Sequence, residues 1–229
     1  MSEVGLYLFF ENRFLLGRRQ YKLPASEKEL VSLLKERLKE GCETGALDLS
    51  GFYLKSIRGI SSLLGEKCVK KIRELDLSNN EIYAINTRDL EAFVNLEYLD
   101  LSFNKIVKIE TKAFKPLKNL ISLDLGHNKI KKLFPKMFVW QGKLKFLDLS
   151  DNKIRYLEKS FFDGLFSSLQ KINLADNRII HIPADLFKRF KRLNELNLKG
   201  NLIKIWQRAE GNIREKRPVI ERDILTLWW

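Results

Sequence analysis

Leu75-Asp-Leu77-Ser-Asn-Asn80-Glu-Ile82 is the stretch on which the fold turns, because the chain repeats its skeleton. The same Leu-x-Leu-x-x-Asn-x-Ile frame stands at Leu99, Leu101, Asn104 and Ile106, at Leu123, Leu125, Asn128 and Ile130, and at Leu147, Leu149, Asn152 and Ile154. It returns at Ile172, Leu174, Asn177 and Ile179, and at Leu196, Leu198, Asn201 and Ile203. The Asn positions step by 24, 24, 24, 25 and 24 residues, a register that a random apolar chain would not keep. Self-similarity at a fixed period of this length is the signature of a repeat architecture.

Outward from each phrase, Phe114, Leu117 and Leu120, and Phe162 and Leu165, supply a second apolar set, with Leu90, Phe93, Phe138, Phe187 and Phe190 in related positions. Each unit then gives one short strand whose alternating Leu side chains point inward, and a return segment that closes the coil beneath them. One unit cannot bury its own apolar side, so units must stack. The Asn carries both a donor and an acceptor and can satisfy backbone groups that a buried bend leaves unpaired, including those of the next coil.

Through those residues the stretch 46–206 resembles the leucine-rich-repeat family, in the subclass of about 24 residues per unit. The resemblance implies an α/β repeat solenoid: a curved coil with a parallel sheet on its concave face, an N-terminal helical cap and a C-terminal cap. It places the Phe and Leu set along the convex spine, where Gln141 is an exception expected to weaken the spine locally or to turn outward. It implies binding of a macromolecule and nothing finer, because repeat solenoids serve unrelated partners.

Three segments follow: 1–45, an apolar opening and a capping helix; 46–206, about seven repeat units; 207–229, a C-terminal cap or tail. Ser26-Glu-Lys-Glu29 reads as a capping box ahead of a helix with Leu30, Leu33, Leu34 and Leu38 on one face and Gly41 at its end. The first unit keeps Leu47, Leu49, Leu54 and Ile57 but has Phe52 where Asn belongs, and terminal units are expected to be atypical. Leu6, Leu8, Phe10, Phe14 and Leu15 are too apolar for a plain solvated tail and either pack on the cap or order on a partner. Trp228 and Trp229 are cap or ligand-contact residues.

Lys and Arg total 42 against 29 Asp and Glu, a net charge of +13 that favours anionic partners without choosing among them. Only two cysteines, Cys42 and Cys68, are present, fewer than disulfide-stapled ends would use. That count, the lack of an Asn-x-Ser/Thr acceptor and an opening without a basic leader point to an intracellular protein, cytoplasmic or nuclear. No stretch is apolar for the roughly 18–20 residues of a transmembrane helix.

No phosphate-cradling Gly loop, nucleophile motif or metal-spaced Cys/His cluster is visible, so neither catalytic residues, a metal, a cofactor nor a small-molecule substrate is assigned. His127 and His181 lie 54 residues apart on different coils. Partner-facing positions are better defined, because side chains between the inward Leu residues point out along the sheet. One column is Asp48, Asp76, Asp100, Asp124, Asp148, Asn173 and Asn197; it reads either as a stock structural phrase of the family or as a docking strip for a basic peptide. The adjoining column is Ala46, Glu74, Tyr98, Ser122, Phe146, Lys171 and Glu195. Tyr98 and Phe146, with Phe103 just past its strand, are the expected protein-contact patch, joined by Asp100, Asp124 and Asp148.

Charge is also localised: from Phe103 to Lys159, 14 Lys and Arg stand against 5 Asp and Glu. Lys105, Lys108, Lys129, Lys131, Lys132, Lys153, Arg155 and Arg178 follow the Asn of successive units, so stacking aligns them into a ridge able to track a phosphate backbone. The leading expectation is a non-catalytic intracellular adaptor or scaffold that binds a protein partner through the concave face. The alternative is a ribonucleoprotein subunit that contacts RNA through the ridge; a further alternative is a secreted or surface recognition protein.

Overall fold

The computed structural model describes residues 27–183, 186–203 and 219–221. Ser26 of the expected capping box, the apolar opening, Trp206, Trp228 and Trp229 lie outside them.

Helix α1 (Glu27–Thr44) is followed by strand β1 (Ala46–Asp48). Two short helices, α2 (Ile60–Leu64) and α3 (Glu66–Val69), fill the long first return, and the repeats then supply β2 (Glu74–Asp76), β4 (Tyr98–Asp100), β6 (Ser122–Asp124), β7 (Phe146–Asp148), β8 (Lys171–Asn173) and β9 (Glu195–Asn197). With β10 (Val219–Glu221) they form an eight-stranded sheet in the order β1-β2-β4-β6-β7-β8-β9-β10, every pair parallel. That is one strand beyond the expected units: β10 pairs in register with β9 although no repeat phrase marks it. A second ladder, β3 (Ala84–Ile85) on β5 (Lys108–Ile109), runs along the flank.

Each strand is three residues long because only its central Leu or Ile must point inward, and that residue is buried in every repeat strand while its neighbours face out. The core is continuous from Leu34 and Leu38 of α1 through Phe93, Phe114, Phe138 and Phe162 to Leu198. Phe114 stacks on Phe138 at 5.8 Å and Phe162 meets Phe190 edge-on at 5.5 Å, so the convex spine is an aromatic column.

Gln141 does not turn outward. Its side chain is wholly buried, and Nε2 donates to the Phe114 carbonyl at 2.7 Å, tying two coils together where its neighbours use Leu; Oε1 has no partner among the described residues. The capping helix also differs from expectation: it runs past Gly41 to Thr44 and breaks at Gly45, whose φ is 84°. Gly41 serves close packing instead, since a Cβ there would stand 3.0 Å from the Leu47 side chain. Cys42 of α1 and Cys68 of α3 are disulfide-paired with Cα atoms 5.0 Å apart. The count of two cysteines therefore no longer argues for a reducing compartment.

The Asn ladder joins each coil to the one before it. Asn128 Nδ2 donates to the Leu101 carbonyl at 2.9 Å and its Oδ1 accepts from the Ile106 N–H at 2.9 Å. Asn80, Asn104, Asn152, Asn177 and Asn201 make the same pair of bonds to the preceding coil. The residue just before each Asn takes a left-handed backbone: Asn79, Phe103, His127, Asp151 and Asp176 have φ of 55°, 53°, 53°, 45° and 54°. Asn, Asp and His tolerate that region; Phe103 is the bulky exception.

Candidate functional site

The parallel register turns the two outward columns into contiguous strips. Asp48, Asp76, Asp100, Asp124, Asp148, Asn173 and Asn197 are successive partners, and so are Ala46, Glu74, Tyr98, Ser122, Phe146, Lys171 and Glu195. Neighbours in a strip are about 4.8 Å apart, the spacing of hydrogen-bonded strands. In each of the first five units the Asp Oδ1 accepts the N–H two residues on, at 2.7–2.9 Å, which fixes the carboxylate against the turn. Asp48 meets Arg37 of the cap at 3.5 Å and Asp148 accepts from Asn173 at 2.8 Å. Among the described residues no Lys or Arg pairs with Asp76, Asp100, Asp124 or Asp148.

Like charges at this spacing have a measurable cost. The Asp124 carboxyl is pushed up to about 6, chiefly by burial, with the neighbouring charges of Asp148 and Asp100 adding to it; the Gly126 N–H and His127 pull the other way. A trough of about 480 Å³ lies over this part of the sheet, with Ser122, Asp124, Phe146, Asp148, Lys171 and Glu195 in its floor. Lys171 and Glu195 neutralise each other at 2.6 Å, which leaves the Asp strip as the dominant charge.

Of the three expected aromatics, Tyr98 is 43% exposed and shares its column with the half-buried Phe146, two coils away. Phe103 is not brought to them. It stands beyond the Asp strip, 52% exposed, and stacks on His127 with ring centroids 4.0 Å apart. His127 in turn bonds Asp151 at 2.8 Å. The acid strip is therefore bordered on one side by Tyr98 and Phe146 and on the other by the Phe103–His127 stack.

The cations sort onto a different face. The N–H of Lys105, Lys129, Lys153 and Arg178 each donates to the residue two past the Asn of the preceding coil, at 2.8–3.0 Å, so these four side chains form one column on the flank. Lys105 is neutralised by Glu81 at 2.6 Å. Lys108 sits on β5 opposite Ala84, and the next positions of that column are Lys132, Tyr156 and His181, the last two bridged through their backbones. Lys131, Lys132, Lys153, Arg155 and Arg178 line a recess of about 450 Å³ together with Tyr156, Glu158 and Phe161. Sequence reading gathered the cations but missed Tyr156 and Phe134. The signal was present: counting a fixed number of residues past each Asn puts Tyr156 in line with Lys132.

Among the described residues no group of His, Cys, Asp and Glu is arranged to hold a metal ion, and no helix is long and apolar enough to cross a membrane.

A family model for the leucine rich repeat matches residues 46–106, 94–154 and 142–203, well over half of the chain. No curated protein matches it by sequence. Among solved structures 392 chains match, so the fold by itself selects no partner. One is the crystal structure of a TLR13–ssRNA13 complex, 22% identical with a TM-score of 0.55 over 69% of this chain and 25% of that one. The chain thus spans a quarter of that neighbour's length, and the likeness at this identity is one of fold.

Proposed function

Because the chain belongs to the leucine-rich-repeat family, whose solenoids typically serve binding, we propose that it is a non-catalytic adaptor whose concave face holds a Lys- or Arg-rich segment of a partner protein. The observation that carries this reading is the strip Asp76, Asp100, Asp124 and Asp148, unpaired with cations and bordered by exposed aromatic rings. Burial is the main cause of the raised Asp124 value, and the charges of Asp148 and Asp100 add to it; a cationic segment laid across the strip relieves that added repulsion, and its aliphatic stems pack on Tyr98 and Phe146. The net charge of +13 does not prevent this, because charges beyond the Debye length of about 8 Å are screened at physiological salt.

The test is a titration of the whole chain with short labelled peptides, one Lys/Arg-rich, one neutral and one acidic. The basic peptide binds best; Tyr98→Ala or Phe146→Ala costs about 1–2 kcal/mol, and Asn at Asp100, Asp124 and Asp148 together abolishes the preference for the basic peptide. Indifference of basic-peptide binding to all of these substitutions overturns the reading.

A further inference from the structure

The flank carries a second site, independent of the concave face. Five cations, Lys131, Lys132, Lys153, Arg155 and Arg178, converge on one recess of about 450 Å³ whose lining holds a single carboxylate, Glu158, and among the described residues none of the five lies within ion-pair distance of a carboxylate, whereas Lys105 on the same flank is paired. Unneutralised convergence of this kind is held against repulsion by the backbone ladder that fixes each coil on the last. Flat aromatic faces are interleaved with the charges. Tyr156 is 59% exposed with the Arg155 guanidinium 5.9 Å from its ring centre, and Lys132 of the lining stands 5.4 Å from the ring centre of Phe134.

We propose that this recess binds single-stranded nucleic acid, with a base stacked on Tyr156 and the adjoining phosphates on Lys131, Lys153, Arg155 and Arg178. Cations that track a backbone, alternating with rings on which bases stack, are the combination that single strands require. The recess lies in the usual size range of ligand pockets, about 300–1,000 Å³. The cationic column also continues beyond the recess through Lys129, giving a polymer further phosphate contacts that a lone lipid headgroup would leave unused.

The experiment uses the whole chain and labelled oligouridylate of about 12 nucleotides, its DNA counterpart, a matched duplex, and phosphatidylserine vesicles, each across a salt series. Single strands bind in preference to duplex and vesicles. Lys153→Ala with Arg155→Ala weakens binding and lowers the salt slope by about 0.7 per charge removed. Tyr156→Ala weakens binding by roughly tenfold and leaves the slope unchanged. Comparison of the RNA and DNA arms shows which sugar the site accepts. All three side chains are at least partly exposed, and unchanged thermal unfolding certifies the variants as folded. Equal binding of duplex, a preference for vesicles, or indifference to Tyr156→Ala overturns the proposal.

Discussion

At the scale of one residue, Asp124 is where the sheet's geometry becomes a titration. Its folded-state value of about 6 lies above the ordinary aspartate value of about 3.9. The folded state therefore holds this proton more tightly than the unfolded chain, so the group's contribution is most favourable below about pH 4 and is lost as pH rises through about 6. Asp124→Asn keeps the acceptor for the Gly126 N–H and removes the charge. It is expected to raise stability by about 1 kcal/mol at pH 7.5, a figure discounted for solvent screening of a half-exposed group, and to leave stability at pH 4 unchanged. Urea unfolding of both proteins at the two pH values checks this. The outward position of Asp124 was legible in the sequence from strand alternation alone. Its shifted value was not, because it depends on how much solvent the coils above and below exclude, and on the charges of Asp148 and Asp100 beside it. Gln141 shows the same limit: its place on the spine was plain, but the carbonyl it reaches belongs to another coil.

At the scale of the element, the Asn ladder is the joint between coils. Asn128→Ala removes two buried bonds to the preceding coil and leaves the Leu101 carbonyl and the Ile106 N–H without it. The expected loss is about 3 kcal/mol. Asn201, only half-buried at the last described repeat, has one solvated side, so Asn201→Ala should cost about 1 kcal/mol. Thermal or urea unfolding of the two variants separates them; equal losses would deny that burial sets the cost. The ladder was readable in the sequence because its period is fixed by the coil itself. What periodicity could not supply was β10, which joins the sheet without repeating the phrase, or the run of α1 to Thr44, because Gly41 is there to let Leu47 pack close and does not end the helix. Phe103 stands just past its strand, as its position in the phrase implies; its left-handed backbone and its stack on His127 are not written in the period.

At the scale of the whole molecule, the two candidate sites occupy different faces and carry opposite charge, an acidic sheet and a basic flank. Their ligands should therefore not compete. Saturation with basic peptide is expected to leave the affinity for oligouridylate within about twofold, measured as two anisotropy titrations with and without the other ligand; mutual exclusion would mean one shared surface. The side chain of every ladder Asn, from Asn80 to Asn201, reaches backward, to the coil that precedes it in the chain, and none of these side-chain bonds points forward. A growing chain leaves the ribosome N-terminus first, so each new Asn arrives to lock a coil already made. The order of synthesis and the order of closure coincide, and a nascent solenoid waits at any moment on only its newest unit.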